Sequence, residues 1–314
     1  MKNMNFKMSK EDLKLALVDT TSWIGTEAPG FYEKAFFEST AIVNFTKWLN
    51  IKSKTRIAKL DATSVMQDDD DDFGATDLNL SQKEINVAAK KINFEVAIST
   101  LEQNYLSKSL MPGSNKVVAP ADFMNYVLEF SAKLAGQDIE KLTWSASDSE
   151  GLIYKALHDT SDGTTSGTTN LASKIANTTV TSSNVLAEIA KVYNAIPAAV
   201  LGKEDLVIFV SSNVMKAYKI AFGTSALSNG GFAALVTETN YLGIKLIEAK
   251  GMAVNTMFAA QLSNLGFGTD LEEDYKGIQI VDLWSSLGIP KIRFVARFKF
   301  SVDYVQPSEV VLYV

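Results

Sequence analysis

The sequence predicts an α+β fold, and three observations predict it. The segment APADFMNYVLEFSAKLAGQ, from Ala119, has the grammar of one long helix. The run LVIFV at 206–210 is apolar throughout, of strand length, and leads directly into a helical segment. The last third is mostly strand, and its longest segment, KIRFVARFKFSVDYV, alternates apolar and polar residues along its length. Period two marks a half-buried strand, and period 3.6 a helix with one apolar face.

Along the chain, residues 8–20 read as a short helix with Ser9 as cap, Asp12 in the first turn, and Leu13, Leu17 and Val18 at helical spacing. The aromatic-rich segments that follow are broken by Gly25, Pro29 and Gly30, so residues 1–50 are expected to form an arm that lies on another surface. Residues 51–65 have strand character in their second half and carry Lys52, Lys54, Arg56 and Lys59. After the acidic run QDDDDDFGATDLNL, Ile92, Phe94, Val96 and Ile98 alternate with Asn93, Glu95, Ala97 and Ser99, which predicts the return strand of a long hairpin over residues 51–98. Alone, such a ribbon buries too little apolar area to offset its ordering entropy.

The long helix starts at Pro120, carries Phe123, Tyr126, Val127, Phe130 and Leu134 as its stripe, and is expected to stop at Gly136. A polar loop is expected through about residue 170. A second helix over 184–195 carries Val185, Ile189, Val192 and Ile196 and ends at Pro197. The helix after 206–210 takes Ser211 or Ser212 as cap and Gly223 as stop, and further strands are expected at 241–248, 252–260, 277–283 and 309–314.

Composition narrows the chemistry. A formal net charge of -6 argues against a protein whose main task is gripping phosphates. With no cysteine there is no disulfide, thiolate metal site or cysteine nucleophile. The N-terminus lacks the pattern of a secretory signal and no run is long enough to span a membrane, so a soluble protein made in the cytoplasm, without membrane partners, is expected. The single histidine, His158, sits among Gly, Ser, Thr and Asp, which is loop chemistry rather than a triad.

The aspartates Asp68, Asp69, Asp70, Asp71 and Asp72 lack the alternation, central glycine and terminal glutamate of a calcium loop; their mutual repulsion favours a solvated tip. The second acidic cluster, Asp270, Glu272, Glu273 and Asp274, is contiguous, whereas glycosidase carboxylates come from separate elements. No catalytic, cofactor or metal site is assigned.

The order of these elements resembles the major capsid protein of tailed double-stranded-DNA bacteriophages, the Johnson-type fold that encapsulins share. The segments that carry the resemblance are IKSKTRIAKLDATSVMQDDDDDFGATDLNL with KKINFEVAISTLEQNYL, APADFMNYVLEFSAKL, NAIPAAVLGKEDLVIFVSSNVMKAYKIAFG and RFVARFKFSVDYVQPSEVVLYV. The resemblance implies an N-terminal arm (1–50), an extended loop (51–98), a peripheral domain with a spine helix (99–145 and 290–314) and a mainly axial domain (146–289).

It further implies a shell subunit without enzymatic activity. Its partners would be many copies of itself in pentamers and hexamers, a portal protein, a separate scaffolding protein or none, decoration proteins, and packaged DNA touched non-specifically. It would be assembled in the host cytoplasm and reside in the virion. Contacts between subunits are expected at Lys54, Arg56, Lys59, Lys90 and Lys91 on the hairpin stem and at Asp68 to Asp72 on its tip. The alternatives are an encapsulin-like compartment, a hydrolase using Asp270, Glu272 or Asp274, and a strand-built adhesin or tail component. Lys54 and Lys59 are available for a crosslink, but no motif assigns one.

Overall fold

The computed structural model describes residues 42–61, 79–97, 134–158, 172–228, 239–270, 279–283, 287–289 and 291–314. The expected helix at 8–20, most of the arm, the acidic run and the first part of the spine helix lie outside them. The described residues fall into two compact units.

The larger unit is built on a six-stranded sheet. Strand β6 (Leu206–Ser211) is buried at every position, as a strand whose first five residues are all apolar should be at a sheet centre. It runs parallel to β8 (Ile244–Ala249) and antiparallel to β9 (Met257–Gln261). Beyond β9 lie β13 (Val311–Tyr313), antiparallel to it, and β5 (Ser173–Ile175), parallel to β13; β7 (Asn240–Tyr241) closes the other edge. The C-terminal strand, grouped with the spine by the resemblance, therefore pairs inside this sheet. Leu242 and Gly243, at φ 47° and 85°, make the tight turn between β7 and β8, so the expected strand at 241–248 divides there. The expected strand at 252–260 begins only at Met257.

Helix α3 (Val185–Ala195) lays Val185, Ile189 and Val192 on one face of the sheet, and α4 (Ser212–Ser228) adds Val214, Met215, Ala217 and Tyr218. The sheet contributes Ile208, Val210, Leu246, Met257, Ala259, Val311 and Tyr313 to that core. On the opposite face Trp144 meets Phe209, Phe258 and Phe45 at centroid distances of 4.9, 5.7 and 6.2 Å. Helix α3 ends before Pro197 as expected, but α4 continues through Gly223 to Ser228; one interior glycine costs only about 1 kcal/mol in a helix.

The helix α1, at residues 134–143, likewise passes Gly136. Its buried positions are Ala135, Gly136, Ile139, Glu140 and Thr143, which leaves Leu134 exposed rather than in the stripe. The expected polar loop contains a helix, α2 (Leu152–His158), whose Leu152, Ile153 and Ala156 are fully buried. Seven residues are too few to announce themselves by periodicity.

Also in this unit, β1 (Thr46–Trp48) runs parallel to β10 (Leu265–Gly268), which pairs antiparallel with Ser301–Tyr304 of β12 (Lys291–Tyr304). Gly266 is required at this crossing, because a Cβ there would lie about 2 Å from the Trp48 ring. In β12 the alternation in burial ends at Phe300: Ser301 is buried, and so is Asp303, which the pattern places on the face that is either wet or against a neighbour.

In the smaller unit, β11 (Gln279–Asp282) and β4 (Ala88–Ala97) both pair with β12, whose residues up to Phe298 belong here. Phe94 stacks on Phe294 at 4.7 Å, and Glu95 accepts from Arg293 and from Lys291. The alternation at 92–98 is thus explained by pairing with β12, which corrects the reading of this segment as the hairpin's return strand.

Candidate functional site

The hairpin consists of β2 (Lys54–Asp61) and β3 (Asn79–Asn86), in antiparallel register from Lys54↔Asn86 to Asp61↔Asn79. The return strand is NLSQKEIN, immediately after the acidic run, where the polar composition conceals the period: Lys83 and Ile85 share one face with Thr55 and Ile57. That face turns inward, with Ile85 fully buried and Lys83 largely so. The outer face carries Lys54, Arg56, Ala58, Gln82, Glu84 and Asn86, all exposed.

Charge on the outer face is partly spent within the hairpin. Lys54 donates to Glu84 Oε1 at 2.7 Å, and Arg56 Nε lies 3.8 Å from Glu84 Oε2. The Lys54 hydrogen bond and charge, with Arg56 adding to them, hold the Glu84 carboxyl below its usual range.

The base of the hairpin is fixed by backbone and side chains together. Ile51 N donates to Thr269 O at 3.2 Å, Val87 N to Ser53 O at 2.9 Å, and Lys299 Nζ to Lys52 O at 2.7 Å. Lys299 also pairs with the buried Asp270. Further along, Lys83 Nζ reaches Asp303 Oδ1 at 3.0 Å and lies 3.7 Å above the Tyr304 ring, while Lys155 from α2 takes Asp303 Oδ2 at 3.1 Å.

The predicted site residues are therefore distributed as follows. Lys54 and Arg56 stand on the outer face of β2, and Lys59 is on the same strand. Lys90 and Lys91 are on β4, which is not part of the hairpin, so the structure does not join them to the stem. Asp68 to Asp72 lie outside the described residues, as do Glu272, Glu273 and Asp274. Asp270 is neutralised by Lys299 in a structural pair. His158 ends α2 with Nδ1 2.9 Å from Tyr154 O and its ring stacked on Tyr154.

Among the described residues no group of three or more His, Cys, Asp or Glu is placed to hold a metal ion, and no helix is long and apolar enough to cross a membrane. Sequence reasoning missed Lys83, Lys155 and Asp303 as a group, because they come from three separate elements that only the fold brings together.

The sequence matches no protein-family model and no curated protein. The structure, in contrast, is similar to solved capsid structures over most of its length. The capsid of an empty GTA particle aligns over 88% of this chain and 89% of its own, at TM-score 0.55 and 12% identity. The capsid of the cyanophage P-SCSP1u aligns over 88% and 86%, at TM-score 0.55 and 11% identity. A virus-like particle from Pyrococcus furiosus aligns over 90% and 96%, at TM-score 0.52 and 10% identity. At these identities the likeness is one of fold, and the fold is the α+β, Johnson-type capsid fold expected from the sequence.

Proposed function

We propose that this chain is the structural subunit of an icosahedral shell enclosing the double-stranded DNA of a tailed phage. The observation that carries the reading is a capsid fold aligned over nearly the whole chain, from which a two-stranded ribbon presents an exposed outer face that carries Lys54, Arg56, Gln82, Glu84 and Asn86. Such a ribbon has nothing to gain from isolation, since two strands alone are marginal in water. In this reading it contacts adjacent copies through Lys54, Arg56, Lys59 and Asp68 to Asp72, with Lys90 and Lys91 contributing from β4. Residues 51–87 act as the extended loop, the strands Ala88–Ala97 and Lys291–Phe298 belong to the peripheral domain, and the six-stranded sheet that takes in Val311–Tyr313 is the core of the axial domain.

Net acidity supports a container role, because a strongly basic lining would hold DNA through released counterions and resist its movement. In this reading a portal protein is the partner of such a shell, with a separate scaffolding protein or none and with or without decoration proteins; assembly takes place in the host cytoplasm, and the product is the virion. Electron microscopy of the purified full chain tests the reading. Closed particles are expected; a monodisperse monomer across salt and concentration, or open fibres, would refute it.

A further inference from the structure

We infer that Lys83 and Asp303 form a clamp that fixes the direction in which the hairpin leaves its own subunit, and through it the angle at which neighbouring copies meet. The second half of this statement rests on the shell reading; the first does not.

At the base, the bonds of Ile51 to Thr269 and of Lys299 to Lys52 O hold the hairpin where it enters the body. Ile51 and Val87 also approach Gly268 closely enough that a Cβ there would meet Ile51 Cδ1 at 3.3 Å and Val87 Cγ2 at 3.5 Å. One anchored end permits rotation. A second anchor is needed to set a direction, and Lys83 supplies it, four residues or about 13 Å along the strand from Val87. With that lever, about 1 Å of slack at Lys83 lets the ribbon tilt by roughly 4°, an error that grows in proportion to distance toward the tip.

The chemistry of the second anchor favours a positional role. Asp303 Oδ1 accepts from Lys83 and from Tyr304 N at 2.9 Å, and Oδ2 from Lys155, so both carboxylate oxygens are engaged. Lys155 donates in addition to Ser301 Oγ at 3.1 Å and Val302 O at 2.8 Å. The Lys155–Asp303 pair is therefore complete within the body without the hairpin. Lys83 is the member that crosses from hairpin to body, and replacing it leaves no buried carboxylate without a cation. Docked in a buried position, an ammonium between a carboxylate and the Tyr304 ring has one position to occupy, whereas an apolar side chain at Lys83 would slide over the same surface.

The absence of cysteine allows clean spin labelling at Ala58→Cys, on the exposed face of β2, and Lys216→Cys, on the exposed face of α4. In the full chain, pulsed electron resonance should give one narrow distance distribution. Lys83→Met should at least double its width while the melting temperature stays within about 3 °C, and Lys83→Arg should restore the narrow form. Under assembly conditions Lys83→Met should yield shells of mixed diameter. An unchanged width in Lys83→Met overturns the clamp, and so does a general loss of stability, which would make Lys83 ordinary core support. If widths change as expected but the labelled wild type never forms shells, the clamp stands and the shell reading is what fails.

Discussion

Tyr313 is next to the last residue of the chain, and its replacement by phenylalanine tests whether the C-terminal strand is stapled or only adjoining. The Tyr313 hydroxyl donates to Glu188 Oε2 at 2.7 Å and accepts from Thr178 N at 3.0 Å. Removing it deletes a charge-assisted hydrogen bond inside the core, worth about 1.5–3 kcal/mol, and leaves the Thr178 amide one acceptor short, about 1 kcal/mol more. The ring itself is fully buried and phenylalanine keeps its packing, so a loss of about 2.5–4 kcal/mol in urea unfolding should come from the hydroxyl alone.

The same contact sets a pH signature. Lys191 first, and the Tyr313 hydroxyl next, hold the Glu188 carboxyl below its usual range. A depressed carboxyl contributes its stability above its unfolded value, near 4.3, and loses it as pH falls through the folded value. Thermal melts of the wild type should therefore decline from about pH 5 downward. Glu188→Gln should start lower at pH 7 and decline less steeply, the remaining slope including Asp205, which the Ser263 hydroxyl holds low. A Tyr313→Phe cost under about 0.5 kcal/mol, or an acid slope indifferent to Glu188→Gln, would refute the stapling argument.

Other consequences are open to direct measurement. Deleting residues 310–314 removes Val310, Val311, Leu312 and Tyr313, each fully buried, at about 1.5–3 kcal/mol per side chain; insoluble expression is expected, and a soluble product with native circular dichroism would contradict it. Gly266→Ala drives a methyl into the Trp48 ring and should cost about 1–3 kcal/mol by urea titration, with Trp48→Ala in the same chain recovering part of the loss. Deleting residues 67–77, the acidic tip, should leave the melting temperature near wild type while particle yield by sedimentation collapses; normal shells would remove the tip from the assembly mechanism.

How much was legible in the sequence differs by element for identifiable reasons. The apolar run of β6, the stripe of α3 and the long alternation of β12 declared themselves, because each is a regular pattern sustained over most of its element. Stops assigned to Gly136 and Gly223 failed because one interior glycine costs only about 1 kcal/mol, too little to end a helix by itself. The hairpin's partner strand was misplaced for a different reason. NLSQKEIN buries only one lysine and one isoleucine on its inner face, whereas INFEVAIS shows a cleaner period, which it owes to β12 instead.

That misplacement changes the electrostatics of the proposed assembly. With Lys90 and Lys91 on β4, the described outer face of the hairpin keeps Lys54 and Arg56 against Glu84, two positive charges and one negative, a net of +1. The run Asp68 to Asp72 carries five negative charges in sequence. A tip reaching another copy's hairpin therefore meets a weakly positive surface and must compete with Glu84 for the same two cations. Docking of this kind would be gained or lost by small changes in salt, since exposed charges separated by more than about 8 Å are screened at physiological ionic strength. Glu84→Gln frees both cations, so it should raise the salt concentration at which shells fall apart. An unchanged or lower threshold would mean that tip and stem do not meet, and that the ribbon docks through its backbone edges instead.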